Sequence, residues 1–211
     1  NVVPKPMQKP HPPIWAACSN RDSLQMAARL GMGGLTFAFV NAEEAKFWVD
    51  EYYETFKTNC TPIAQSVNPN VAMLTGFMCH QDYETAIKQG LEGAQFFAHG
   101  LGHFWRDGTH VPGRTNLWNE FRNRPVSVIE KMERERKKAG MGGIGSPEQL
   151  IENFRALEDS GVDQLIFLQQ SGNYRHEHIC DSLELFGTKV LPQFKEREII
   201  REKIKLEELS S

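Results

Sequence analysis

Four short apolar runs alternate with helix-length segments along this 211-residue chain, and that rhythm constrains the fold more than any single motif. The runs are residues 14–18 (IWAAC), 34–40 (GLTFAFV), 71–79 and 162–169. They are continuously apolar rather than alternating, which predicts strands of the buried, parallel-sheet type. Each is followed or preceded by helix signals. Ser19 with Asp22 predicts a capped start, Leu24, Ala27 and Ala28 give the stripe behind it, and Gly31 ends it. Asn41 with Glu44 repeats the pattern ahead of Ala45, Trp48, Val49, Tyr52, Tyr53 and Phe56. A third helix is expected over 82–98, weakened by Gly90 and Gly93. Ser146-Pro147-Glu148-Gln149 combines an N-cap, a proline at the first helical position and a reciprocal glutamine, and Gly161 closes that helix. A last helix places Ile179, Leu183, Phe186 and Val190 on one side. Four βα-spaced strands predict an α/β protein with a parallel sheet and right-handed crossovers.

The segments outside this rhythm are also informative. The first thirteen residues hold five prolines and should run extended over a surface. Residues 99–125 hold glycines, prolines and histidines with little periodicity, the mark of a lid or binding loop. Residues 126–139 read as a charged helix, and 195–211 as a charged tail forming a frayed, solvated helix. A net charge of −3 supplies no basic field for nucleic acid, and no apolar run approaches the ~18 residues of a membrane span. Four scattered cysteines without a CxxC pair disfavour zinc and a disulfide framework, and suit a cytoplasmic protein. The chain begins with Asn rather than Met, so a fragment is expected.

Several clusters bear on chemistry. Residues 140–145 (GMGGIG) match G-x-G-x-x-G, but a basic helix rather than a strand precedes them, so a flexible turn is expected instead of a dinucleotide site. The turn after the first strand delivers Cys18, Ser19, Asn20 and Arg21 onto a helix N-terminus. There a hydroxyl and a guanidinium suit a phosphate, although Ser19 can equally serve only as a cap. His176, His178 and Cys180 sit at i, i+2 and i+4, which one metal does not easily collect on a helix; turn and capping roles are expected. His99, His103 and His110 lie in the long loop with no evident carboxylate partner, and there is no G-x-S-x-G elbow, so hydrolase chemistry is disfavoured. Trp15 and Trp48 fit core positions, whereas Trp105 and Trp118 either cover a flat ligand or pack the loop down.

Three stretches together, PKPMQKPHPPIWAACSN, GIGSPEQLIENFRALEDSGVDQLIFLQQSG and HEHICDSLELFGTKVLPQF, resemble the C-terminal half of bacterial-luciferase-like flavin-dependent monooxygenases. The resemblance implies the last four βα units of a (β/α)8 TIM barrel over residues 1–194, with 99–125 as a lid-like insertion and 195–211 as a tail. It implies an oxidoreductase in which reduced FMN, supplied by a separate flavin reductase, and O2 oxygenate a small organic substrate. It places Cys18, Ser19 and Asn20, with Arg21 beside them, in the phosphate-binding turn, and Met32, Gly33 and Gly34 close to the flavin. His103, Trp105 and Trp118 then line the substrate side. The family's usual active-site histidine and much of its dimer surface belong to the first four strands, so no catalytic residue is assigned here and a homo-oligomer is expected of the full-length form. Two alternatives follow from the same resemblance: an oxidoreductase using the deazaflavin F420, or a non-catalytic flavin-binding or interaction protein.

Overall fold

A computed structural model describes residues 3–5, 7–37, 41–104, 111, 113–125 and 142–210. The chain divides into two compact units, one of residues 1–75, 155–166 and 211, the other of residues 76–154 and 167–210.

The first unit is built on a sheet of order β1-β2-β3-β6, from β1 (Trp15–Ala17), β2 (Gly33–Phe37), β3 (Val71–Gly76) and β6 (Gln164–Leu168). β1 runs parallel to β2 and β2 to β3, with Trp15 opposite Gly33 and Gly34 opposite Val71. The helices α1 (Arg21–Arg29) and α2 (Ala42–Asn59) follow the first two strands, as the βα rhythm requires. Leu24, Ala27 and Ala28 of α1 and Val49 and Tyr52 of α2 are buried, as are Val71, Ala72 and Met73 of β3. Tyr52 is wholly buried and donates its hydroxyl proton to the Met32 carbonyl at 2.7 Å, and burial pushes this phenol well above its ordinary value. Gly31 and Gly161, at φ 72° and 87°, end their helices in the left-handed conformation expected of them.

Asp163 ties this unit together just before β6. One carboxylate oxygen accepts the Tyr53 hydroxyl at 2.6 Å and the Val71 N–H at 2.7 Å, joining α2 to the first residue of β3. Hydrogen bonds to a charged acceptor contribute about 1.5–3 kcal/mol each. Asp163→Ala is therefore expected to lower stability by about 2–3 kcal/mol in urea titration. Asp163→Asn keeps one acceptor and should lose less.

The second unit holds β4 (Met78–Cys79), β5 (Ile144–Gly145), α3 (Tyr83–Gly102), α4 (Leu117–Arg122) and α6 (His176–Leu185), followed by a π turn (Phe186–Val190) and α7 (Leu191–Ser210). The helix α5 (Pro147–Asp159) begins in this unit. Its capping box is the expected one: the Ser146 N–H donates to Gln149 Oε1 at 3.0 Å and the Gln149 N–H returns to Ser146 Oγ at 3.4 Å. Met78, Ala86, Ile144, Tyr174 and Ile179 form one core cluster. Phe77 stacks on Phe167 with centroids 4.3 Å apart, and Phe154 and Phe186 join them.

Several expectations change. The run 71–79 is not one strand; it breaks at Phe77, and Met78–Cys79 pairs instead with Ile144–Gly145. That pairing makes part of the glycine-rich 140–145 stretch a strand rather than a flexible turn. α1 is capped by Asn20 and not by Ser19: Asn20 Oδ1 accepts the Ser23 N–H at 2.9 Å and Ser23 Oγ accepts the Asn20 N–H at 3.2 Å, so Ser23 rather than Asp22 completes the box. Trp15 is 36% exposed and Trp48 half-buried, so neither is a fully buried core residue; β1 is an end strand. Leu183 is also exposed, and Ser182, three residues after Ile179, takes the buried position, where its Oγ accepts the Cys79 N–H. Part of the 99–125 stretch is helix, in the end of α3 and in α4, whereas the tail is helical to Ser210 as expected. The expected helix over 126–139 lies outside the described residues.

Candidate functional site

In parallel β/α architectures, ligands bind at the carboxyl ends of the strands, where helix N-termini open. In the first unit that rim carries the turn from β1 into α1. Cys18 is buried; its N–H donates to the Leu35 carbonyl at 2.7 Å, and burial raises its thiol above the ordinary value. Ser19 and Asn20 are exposed at the opening of α1, and Asn41 caps α2 by accepting the Glu44 N–H at 2.8 Å at the same end of the sheet. Two helix N-termini thus share one rim, presenting the positive ends of their dipoles.

Within this turn the residues have distinct employment. The Asn20 side chain is committed to its capping box. Arg21 is held away from the turn: its guanidinium donates to both carboxylate oxygens of Glu51, at 3.0 and 2.5 Å, and lies over the Phe47 ring at 4.4 Å. Ser19 is the residue left presenting a hydroxyl at the helix opening.

Met32, Gly33 and Gly34 are not brought to this rim. They stand at the start of β2, level with Trp15 at the start of β1, whereas Ser19 lies beyond the end of β1. With ~3.3 Å per strand residue, the two groups are roughly 13 Å apart along the strand direction. Their work is packing. A Cβ on Gly33 would meet the Trp15 ring at 2.6 Å, one on Gly34 would collide with Leu24 Cδ1, and the Met32 carbonyl receives Tyr52. The three positions expected at the flavin therefore stand at the amino end of β2, away from the carboxyl-end rim.

On the second unit, His103 and Trp118 are linked only indirectly, through His99 and Phe121. His103 is 3% exposed, with Nδ1 3.4 Å from a Glu120 carboxylate oxygen. Trp118 packs on Phe96 and Phe121 with centroids 5.0 and 5.5 Å apart, and His99 lies 5.7 Å from Phe121. Arg124 sits over the Phe121 ring at 3.7 Å and donates to Gln95 at 3.0 Å. This is a packed aromatic hub more than an open lining. The carboxylate partner that the sequence did not reveal is Glu120, seventeen positions from His103, a spacing that carries no helical signal because α3 and α4 are separate elements. Trp105 and His110 lie outside the described residues.

The sequence also missed a polar cleft of about 220 Å³ in the second unit, between the β4–α3 turn and α6. Cys79, His80, Gln89, His178, Asp181 and Ser182 line it, and Ser182 Oγ accepts the Cys79 N–H at 2.7 Å. Among the described residues no three His, Cys, Asp or Glu side chains converge to hold a metal, and no helix is long and apolar enough to cross a membrane.

A parallel β/α sheet whose strands run into capped helices defines an α/β protein, the class in which ligand sites gather at the carboxyl ends of the strands. The chain belongs to the luciferase-like monooxygenase family, whose model matches residues 1–164. Among curated proteins it is similar to the FMNH2-dependent dimethylsulfone monooxygenase of Pseudomonas putida, at 27% identity over 93% of this chain and 50% of that protein. It is also similar to the oxygenase component of the flavin-dependent trigonelline monooxygenase of Acinetobacter baylyi, at 24% identity over 94% of this chain and 53% of that protein. The chain therefore spans about half the length of the curated relatives it matches. Among solved structures, the monooxygenase RslO1 of Streptomyces bottropensis shares the fold, with a TM-score of 0.60 and 18% identity, over 91% of this chain and 51% of that one.

Proposed function

We propose that this chain is the C-terminal part of an FMN-dependent monooxygenase and supplies the phosphate end of the flavin site. The observation that carries the reading is the exposed Ser19 turn at the carboxyl end of β1, opening onto the N-terminus of α1 in a chain of this family. The donor set fits an anion: a free-standing hydroxyl and the first N–H groups of a nine-residue helix. Cys18 anchors the turn to β2 through its N–H, and Asn20 fixes where the helix begins. Arg21 acts indirectly, fastening α1 to α2 through Glu51. When bound, reduced FMN supplies the electrons with which O2 is activated for transfer to a small organic substrate; a separate reductase delivers it. Both curated relatives are named as flavin- or FMNH2-dependent, which favours FMN over F420. His103 and Trp118 belong to the substrate side as supports, buried His103 meeting the exposed Glu120 and the aromatic hub packing α4 on the end of α3, with Trp105 assigned there by the family resemblance alone. The full-length form is a homo-oligomer in this reading.

Ser19→Asp tests it. A carboxylate before the N-cap complements the helix dipole and leaves the fold intact, but it repels a phosphate. In the protein with its barrel complete, FMN affinity should fall at least about tenfold, or ~1.4 kcal/mol, with an unchanged melting temperature. Unaltered FMN affinity would refute the phosphate assignment, and turnover with reduced F420 but not with FMNH2 would refute the cofactor.

A further inference from the structure

The four cysteines stand in unequal surroundings. Cys18 and Cys79 are buried and Cys60 is half-buried, and burial pushes all three thiols up. Cys180 is exposed on the second turn of α6, with its Sγ 3.5 Å from Nε2 of the exposed His176. The two residues are one helical turn apart, so the rigid backbone of α6 itself holds the pair in register. No capping duty competes for the imidazole: Arg175 is the N-cap, and it makes no side-chain cap bond.

We propose that His176 and Cys180 form a thiol–imidazole dyad that makes Cys180 the peroxide-sensitive modification site of this chain. The thiolate is the nucleophile in such chemistry, and a base within hydrogen-bond reach is what generates it. His176 Nε2, when unprotonated, accepts the thiol proton, and the sulfur attacks one oxygen of hydrogen peroxide. An S–O bond forms as the O–O bond breaks, and the departing hydroxide takes the proton back from the imidazolium. The balance is thiol plus hydrogen peroxide giving sulfenic acid plus water: the sulfur is oxidised by two electrons and the peroxide reduced by two. Asp181 is adjacent to Cys180 and Glu184 lies one turn further on, so His176 is the base that stands at the sulfur. His178, two positions away, lines the cleft on the other side of the helix and provides an internal control.

The experiment exposes the full chain to limiting hydrogen peroxide in the presence of dimedone, which captures sulfenic acids, and quantifies each cysteine by peptide mass spectrometry. Cys180 should be labelled first, about tenfold or more ahead of Cys60. His176→Gln should slow labelling of Cys180 about 3- to 10-fold, with Cys60 unchanged and circular dichroism unaltered, whereas His178→Gln should leave the rate as it is. Labelling of Cys60 as fast as Cys180 in the unmodified chain overturns the proposal without recourse to any variant. So does a His176→Gln effect smaller than about twofold, or an equal effect of His178→Gln.

Discussion

Gly93→Ala is expected to destabilise the chain by about 2 kcal/mol, a fall in melting temperature of about 4–8 °C, although alanine is the better helix former. The two effects have opposite signs. In the interior of α3, alanine in place of glycine gains about 1 kcal/mol from backbone entropy. Against this, a Cβ at Gly93 would collide with the Ser171 carbonyl oxygen and stand 2.6 Å from Cζ of Tyr174. Neither neighbour can retreat easily. The Ser171 hydroxyl donates to the Gly93 carbonyl at 2.6 Å, and the Tyr174 hydroxyl donates to the Gly90 carbonyl, so the 171–174 turn is clamped onto α3 at two successive points. Tyr174 is in addition a member of the core cluster with Met78, Ala86, Ile144 and Ile179. Gly100 provides the contrast, since it lies in the same helix with nothing within 4 Å of its would-be Cβ. Gly100→Ala should show the propensity gain alone and raise the melting temperature slightly. If both variants were stabilised alike in thermal melts, the close approach at Gly93 would be wrong.

That glycine shows where sequence reasoning reaches and where it stops. Gly90 and Gly93 are visible in the sequence as weak points of a helix, but the Tyr174 and Ser171 hydroxyls that bond their carbonyls lie 84 and 78 residues away, unreadable from local pattern. The strand–helix rhythm is legible because the strands of the larger sheet are short apolar runs and α1 to α5 start on side-chain caps, both local signals. Asn41 and the Ser146–Gln149 box were found for that reason. The cap of α1 was misplaced by one residue because Ser19 and Asn20 are both good caps in sequence, and only the backbone geometry selects Asn20. The break at Phe77 was missed because the run 71–79 is apolar throughout; it is the pairing of Met78–Cys79 with Ile144–Gly145 that divides it.

The candidate site was legible to a lesser degree, for a related reason. A turn at the carboxyl end of a strand can be read from a strand–cap–helix pattern, so Cys18, Ser19 and Asn20 could be picked out. Arg21 could not be assigned correctly, because Glu51, its partner, is thirty residues on and belongs to a different helix. The resemblance groups Met32, Gly33 and Gly34 with the flavin, whereas the parallel register places them at the amino end of the strands. His176 and Cys180 carry a legible i+4 spacing, and setting them apart from His178 at i+2 is what makes them a pair.

On its own, the 211-residue chain is expected to self-associate at micromolar concentration and to bind FMN at least about tenfold more weakly than the same segment in a closed barrel. The reason lies in the order of the sheet. β2 and β3 are flanked on both sides, and their residues are largely buried; β1 and β6 end the order β1-β2-β3-β6 and are not. Trp15 on β1 is 36% exposed and Ile166 on β6 is 37% exposed. Purely parallel sheets are normally covered on both faces and closed or shielded at their edges, because an open end strand offers a row of unpaired backbone donors and acceptors to any passing strand. The curated relatives, about twice as long as the stretch matched, have chain enough for further strands to meet those edges. Ile166→Lys probes the point directly, since a lysine on an end strand deters edge pairing while an already exposed position tolerates it. Sedimentation should show association weakened about tenfold, equivalent to ~1.4 kcal/mol, without loss of helical signal. A monomeric chain that binds FMN tightly, unmoved by Ile166→Lys, would mean that these four strands are sufficient as they stand and that the open edges are not where a barrel is completed.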